Sequence, residues 1–127
     1  MRGYSFVLTL CIGAIAGAGI VALKAQGTPA AYVMVQIEVT GNADTFAREY
    51  AAKVASTLEP FGGRFLARRG RVVPLDGDAP KPIVALVRFD SMDKAQAWYN
   101  SAAYQAILPV RKDNTKSNFF VVEGVPQ

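Results

Sequence analysis

Apolar and polar residues alternate from Tyr32 to Thr40, with Val33, Val35, Ile37 and Val39 on one side and Tyr32, Met34, Gln36 and Glu38 on the other. A period of two predicts a strand with one core face and one mixed face. Gly41-Asn42 ends it, and Asn42 is placed to cap a helix by accepting a bond from an exposed N–H of the first turn. Phe46, Tyr50, Val54 and Leu58 then recur every four residues with Ala47 and Ala51 beside them, which reads as an amphipathic helix stopped by Pro60. Gly62-Gly63 permits a tight reversal, since glycine reaches positive φ without a steric penalty. Arg64 to Arg68 reads as a short strand, Gly70 as a bend and Val72 to Leu75 as further extended chain. Residues 76–82 contain two prolines and read as a loop.

Ile83 to Phe89 is almost continuously apolar, the pattern of a central strand buried on both faces. Ser91 caps a second helix, with Asp93 in the first turn where a negative charge meets the positive end of the helix dipole. Met92, Ala95, Trp98, Tyr99 and Ala102 line its apolar side; a further helical stretch after Ser101 carries Tyr104, Ile107 and Leu108 up to Pro109, and Asn118 to Glu123 closes the domain as a strand. Two strand-helix-strand halves in this order predict an α+β, ferredoxin-like βαββαβ domain, one antiparallel four-stranded sheet with both helices on one face. The opposite face bears Tyr32, Met34 and some of Leu66, Leu86, Phe120 and Val122. That face is too apolar to leave in water, so a second copy packed against it, a two-fold homodimer, is expected.

The segment ahead of this block sets the expected compartment. Arg2 is followed by residues 6–23 without a charge, and Ala25-Gln26-Gly27 offers a small-x-small cleavage site before Thr28. Residues 1–27 are therefore expected to be a signal peptide, leaving residues 28–127 as an exported, periplasmic or secreted domain. Lys24 lies close to the cut, and the apolar run approaches the ~18 residues that span a bilayer, so an uncleaved anchor through residues 6–23 stays open as the domain's one link to a membrane. The only cysteine, Cys11, lies inside this run, so the remainder forms no disulfide and depends on packing. Of 14 basic and 10 acidic residues, Arg2 and Lys24 belong to the leader, which leaves 12 minus 10, or +2. No nucleic-acid partner is expected from that balance.

Several separated strings resemble one known family. Ala31-Tyr32-Val33-Met34-Val35, Tyr50-Ala51-Ala52-Lys53-Val54 and Gly62-Gly63-Arg64-Phe65-Leu66-Ala67-Arg68 are similar to the first half of the family of domains of unknown function numbered 1330. Phe89-Asp90-Ser91-Met92, Ala97-Trp98-Tyr99-Asn100-Ser101, Tyr104-Gln105-Ala106-Ile107-Leu108-Pro109 and the stretches from Ser117-Asn118 to Val122-Glu123-Gly124-Val125 follow its second half. The resemblance covers essentially the whole block after the leader. It implies membership of the dimeric α+β barrel group, in agreement with the expected homodimer, and it lends no reaction.

The sequence contains no histidine. Some relatives in the barrel group bind haem through histidine, which this chain cannot do, and the usual zinc sites and Ser-His-Asp or Cys-His nucleophiles are excluded with it. No cofactor and no metal are expected, and acid–base work would fall to Asp, Glu, Tyr or Lys. Glu38 is the carboxylate candidate: alternation places it on the uncovered face, where burial would favour its protonated form, although the end of a strand also places it in solvent or beside an arginine. Arg64, Arg68, Arg69 and Arg71 read as an anion site or as a solvated strand and turn, and Arg64 stands out because it follows the glycine pair. Arg111, just past Pro109, is a ligand-binding candidate or a partner of helix carbonyls. Trp98 reads as core, while Tyr50 and Tyr104 are candidates to orient a ligand through their hydroxyls; Asn118 and Ser117 offer further hydrogen bonds or only turn into the strand.

Two functions are expected from these readings. The first is an exported module that binds a small apolar or carboxylated molecule in a dimer cavity, with Tyr104, Arg111 and Asn118 as ligand-binding residues. The alternative is a cofactor-independent isomerase or monooxygenase-like enzyme using Glu38 or Tyr50 with Arg64. The first is favoured because no titratable pair is spaced for catalysis, and fold analogy does not choose between them.

Overall fold

The computed structural model describes residues 27–127; Cys11 and all of the expected leader but Gly27 lie outside the described residues. Residues Pro29–Val125 form one compact unit. Its elements are β1 (Ala31–Val39), a helical run α1 (43–61), β2 (Arg64–Arg68), β3 (Ile83–Phe89), α2 (Met92–Tyr99), α3 (Ala102–Asn114) and β4 (Thr115–Glu123). The strands make one antiparallel sheet in the order β2-β3-β1-β4, so the two central strands belong to different halves of the chain. This is the ferredoxin-like arrangement predicted from the periodicity. Among the described residues no helix is long and apolar enough to cross a membrane.

Register divides the residues cleanly. Val33 sits opposite Val87 and Val121, and Val35 opposite Ala85 and Phe119, all facing the helices. Met34 sits opposite Leu86 and Phe120, and Tyr32 opposite Arg88 and Val122, all on the uncovered side. β3 is not buried on both faces as its run of apolar residues suggests. Ala85, Val87 and Phe89 are buried, but Val84, Leu86 and Arg88 are half-buried, because nothing among the described residues covers that side. Val72 to Leu75 forms no strand: β2 is at the sheet edge with no neighbour to pair this segment, and Leu75 is 94% exposed.

The first helix forms as its capping signal predicts, with Asn42 Oδ1 accepting from Thr45 N at 2.8 Å. Its interior is less regular than the sequence implies. Ala43–Phe46 is α-helical, Ala47–Ala51 is a π-helical turn, Ala52–Leu58 returns to α, and Glu59–Phe61 closes as a 3₁₀ turn. A strict α-helix would rotate a four-residue repeat by roughly 40° per step. The wider π turn, closed by i→i+5 bonds, takes up part of that drift. Phe46, Tyr50, Val54 and Leu58 all remain buried, and the Phe46 and Tyr50 rings stack at 5.3 Å.

The second half departs from expectation at Pro109. α3 does not end there but runs through it to Asn114, forgoing the bond an N–H would make to the Gln105 carbonyl. Ile107 and Leu108 before the proline and Arg111 after it are all buried, and this packing outweighs a helix-interior cost of about 3 kcal/mol. β4 then starts directly at Thr115 rather than at Asn118. Asn114 is the joint: its carbonyl accepts from Thr40 N and Gly41 N, and its Oδ1 accepts from Asn42 N, which ties the end of α3 to the start of α1.

Between the layers, Trp98 is fully enclosed, with its Nε1 donating to Thr57 Oγ1 at 3.0 Å. Gly62 takes φ +71°, and Gly63 is needed for a different reason. A Cβ there would lie 2.6 Å from Phe89 Cε1, on a ring with no exposed surface into which to move. Gly63→Ala is expected to destabilise the fold by about 1–3 kcal/mol through overpacking, measured by urea denaturation. Gly70→Ala, with nothing within 4 Å of the added carbon, serves as the control and should be close to neutral.

Candidate functional site

A partly open cavity lies between α1 and the sheet within one subunit. Its volume is about 50 Å³ and its walls are largely apolar, including Val35, Ile37, Phe65, Trp98 and Phe119. That is room for roughly four water molecules. Of the lining residues only Arg68 and Arg69 are exposed, so they mark its solvent side. Arg68 is held there by two contacts: Nη2 donates to the Ala51 carbonyl of the π turn at 2.6 Å, and the guanidinium lies 4.4 Å from the centroid of the Phe65 ring. A wider and more open groove, about 470 Å³, runs between α2 and β4 and shares Trp98 and Phe119 with the cavity.

Tyr50 also lines the cavity, and behind it lies a buried polar cluster. The Tyr50 and Tyr104 hydroxyls are 2.7 Å apart, with their rings edge to face at 6.1 Å. Arg111 lies close enough for its charge to act on both hydroxyls, donates from Nη1 to Ser117 Oγ and stacks 3.7 Å from the centroid of Phe119. It is only 4% exposed, yet none of the ion pairs among the described residues includes it, and its Nε has no acceptor. Burial pushes both tyrosine hydroxyls above their ordinary value of 10.0, while the neighbouring guanidinium acts in the opposite direction.

The six residues singled out in the sequence therefore separate into two groups. Tyr50, Tyr104 and Arg111 come together on the helix-covered side. Glu38, Arg64 and Asn118 are exposed on the opposite face: Glu38 pairs in register with Lys116, Arg64 with Arg88 and Asn118 with Gln36. Strand alternation keeps both Glu38 and Arg64 away from Tyr50, and Glu38 is exposed in the single subunit. Sequence reasoning missed Phe119 and the burial of Arg111. The signal was present: Tyr104, Ile107, Leu108 and Arg111 have the i, i+3, i+4, i+7 spacing of one helix face, which is hidden if the helix is ended at Pro109. Among the described residues there is no group of three or more His, Cys, Asp or Glu able to hold a metal ion.

Over residues 30–125 the sequence matches the family described as a domain of unknown function (DUF1330). Among solved structures, a protein of unknown function from Rhodopseudomonas palustris is similar with a TM-score of 0.62, at 11% identity over 80% of this chain and 86% of that one. A cofactor-independent oxygenase from Streptomyces nogalater is similar with a TM-score of 0.55, at 12% identity over 79% and 97%. At such identities the likeness concerns the fold. No curated protein matches the sequence.

The buried tyrosines make stability sensitive to alkali. Because burial raises the values of Tyr50 and Tyr104 in the folded state, their contribution is complete below the unfolded value of 10.0 and is lost as pH rises from there toward the folded values. Urea midpoints should fall as pH passes about 10, and less steeply in a Tyr50→Phe, Tyr104→Phe double variant. Phenolate absorbance from both residues appearing before the chain unfolds would contradict this.

Proposed function

The chain belongs to the DUF1330 family, and on that footing we propose that it binds a small, mostly apolar molecule with an acidic group in the cavity between α1 and the sheet. The observation that carries this reading is the combination of an apolar interior with cations at its only exposed wall, Arg68 and Arg69. At about 50 Å³ it is smaller than the ~150 Å³ that encloses a benzene ring, so it would hold only one end of a small molecule, with the remainder near the arginines. An apolar pocket with a few placed polar groups is the usual form of a small-molecule site.

Turnover of the bound molecule is the second reading. It is supported by the tyrosine pair and guanidinium beside the cavity, and by a neighbour of the same fold described as a cofactor-independent oxygenase. Oxygen uptake with an electron-rich hydroquinone, above the spontaneous rate and reduced in Tyr50→Phe, favours turnover; no uptake leaves binding alone.

We further propose that the uncovered face pairs with a second copy. Phe120 is 52% exposed there, beside Val122, Met34 and Leu86, an apolar surface continuous across three strands. The Glu38, Lys116, Arg64 and Arg88 side chains at its ends would form the polar rim such an interface has.

Two measurements test these proposals. Ligand-observed NMR should show benzoate bound in preference to benzamide, and Arg68→Ala with Arg69→Ala should weaken benzoate by roughly two- to fivefold while sparing benzamide. Failure of both probes to bind would sink the cavity reading. Sedimentation at micromolar concentration should give a two-subunit mass, reduced to one subunit by Phe120→Glu; a monomeric native protein would rule out the pairing.

A further inference from the structure

The hydrogen count in the buried cluster is out of balance. Arginine has only donors, and each tyrosine hydroxyl has one hydrogen to give. The 2.7 Å contact between Tyr50 and Tyr104 uses one of the two hydroxyl hydrogens, and no second acceptor lies against either oxygen among the described residues. One hydroxyl hydrogen and the Arg111 Nε hydrogen are therefore unclaimed in a cluster that carries a buried positive charge. Such groups are paired in nearly all folded proteins, so the cluster has donor capacity for a further acceptor.

The surroundings decide which hydroxyl holds the spare hydrogen. Tyr104 has no exposed surface and is walled in by Trp98 at 4.3 Å and Tyr99 at 5.4 Å between ring centroids, so a hydrogen left on it would point into aromatic packing. Tyr50 lines the cavity. The satisfied arrangement has Tyr104 donating to Tyr50 beside the Arg111 charge, and Tyr50 donating outward. The same chain of donors polarises Tyr50 toward an acceptor, since each hydrogen bond strengthens the next.

We infer that Tyr50, backed by Tyr104 and positioned by Arg111, is a hydrogen-bond donor to an ionised oxygen of the bound molecule. This rests on the proposed binding cavity and narrows its ligand to a small ring or chain with a phenolate, enolate or carboxylate oxygen directed inward. The charge that favours the ionised form comes from Arg111 on α3. The other titratable groups facing the site are Tyr99 from α2, and Arg68 and Arg69 on the solvent side, which also attract anions. β4 contributes Ser117 and Phe119, neither of which titrates.

The probe is 4-nitrophenol, whose colour reports its ionisation, beside 4-nitroanisole, which has the same ring and cannot ionise. The full-length protein should bind the phenolate at least about tenfold more tightly than the anisole, and the bound dye should titrate about one pH unit below the free dye. Tyr50→Phe should retain nitroanisole binding, which shows the cavity intact, and lose the preference. Arg111→Lys, which retains the charge without the planar fork, should restore part of the preference lost in Arg111→Met. A preference that survives Tyr50→Phe assigns the oxygen to Arg68 and Arg69 and overturns the inference while leaving the cavity reading intact. Binding of neither probe removes both.

Discussion

A guanidinium held out of water without a carboxylate is costly unless other groups stabilise it, and the helix-covered half of this domain is arranged around that need. Arg111 lies in the last turn of α3, where the negative end of the helix dipole favours a cation. Phe119 presents its ring face, Ser117 accepts a hydrogen, and the two tyrosine oxygens complete the surroundings. Thr115 Oγ1 donates back to the Arg111 carbonyl, which fixes the passage from helix to strand at the residue where β4 begins. The charge thus links α1, α3 and β4 at one point, and that point adjoins the cavity through Tyr50 and Phe119.

The sheet then determines what each face can do. Alternation along β1 delivers Val33, Val35 and Ile37 to the core and Tyr32, Met34 and Gln36 to the open side, with β3 and β4 following in register. Tyr50, Tyr104 and Arg111 gather where the helices cover the sheet; the open side carries apolar surface with charged residues at its ends. The π turn belongs to the first face, because it supplies both Tyr50 and the Ala51 carbonyl that holds Arg68 in place. A local irregularity in α1 therefore connects the buried cluster to the cationic side of the cavity.

Much of this was legible in the residue pattern, for a physical reason. Strand and helix periods are set by backbone geometry, so Val33 to Val39 and Phe46 to Leu58 declare themselves directly. Capping is equally local, and Asn42 and Ser91 both accept the bonds that their positions suggest. Pro109 misled because its local penalty is fixed, whereas the packing of Ile107, Leu108 and Arg111 that overcomes it is a property of the assembled layers. The candidate site was half legible for the same reason. Tyr50 and Tyr104 were identifiable as aromatic hydroxyls on apolar faces, but 54 positions separate them, and only the tertiary fold brings their oxygens together. Glu38 and Arg64 were attractive as chemistry, and strand parity put them on the other side of the sheet.

The central claim is that the polar cluster under α1 serves a ligand rather than only the core. A crystal structure of the protein with bound 4-nitrophenol tests it most directly. Electron density for the ring is expected between α1 and the sheet, with its oxygen about 2.7 Å from the Tyr50 hydroxyl. A ring bound on the open face, or a water molecule held by Tyr50 and Arg111 while the ring lies elsewhere, would contradict it.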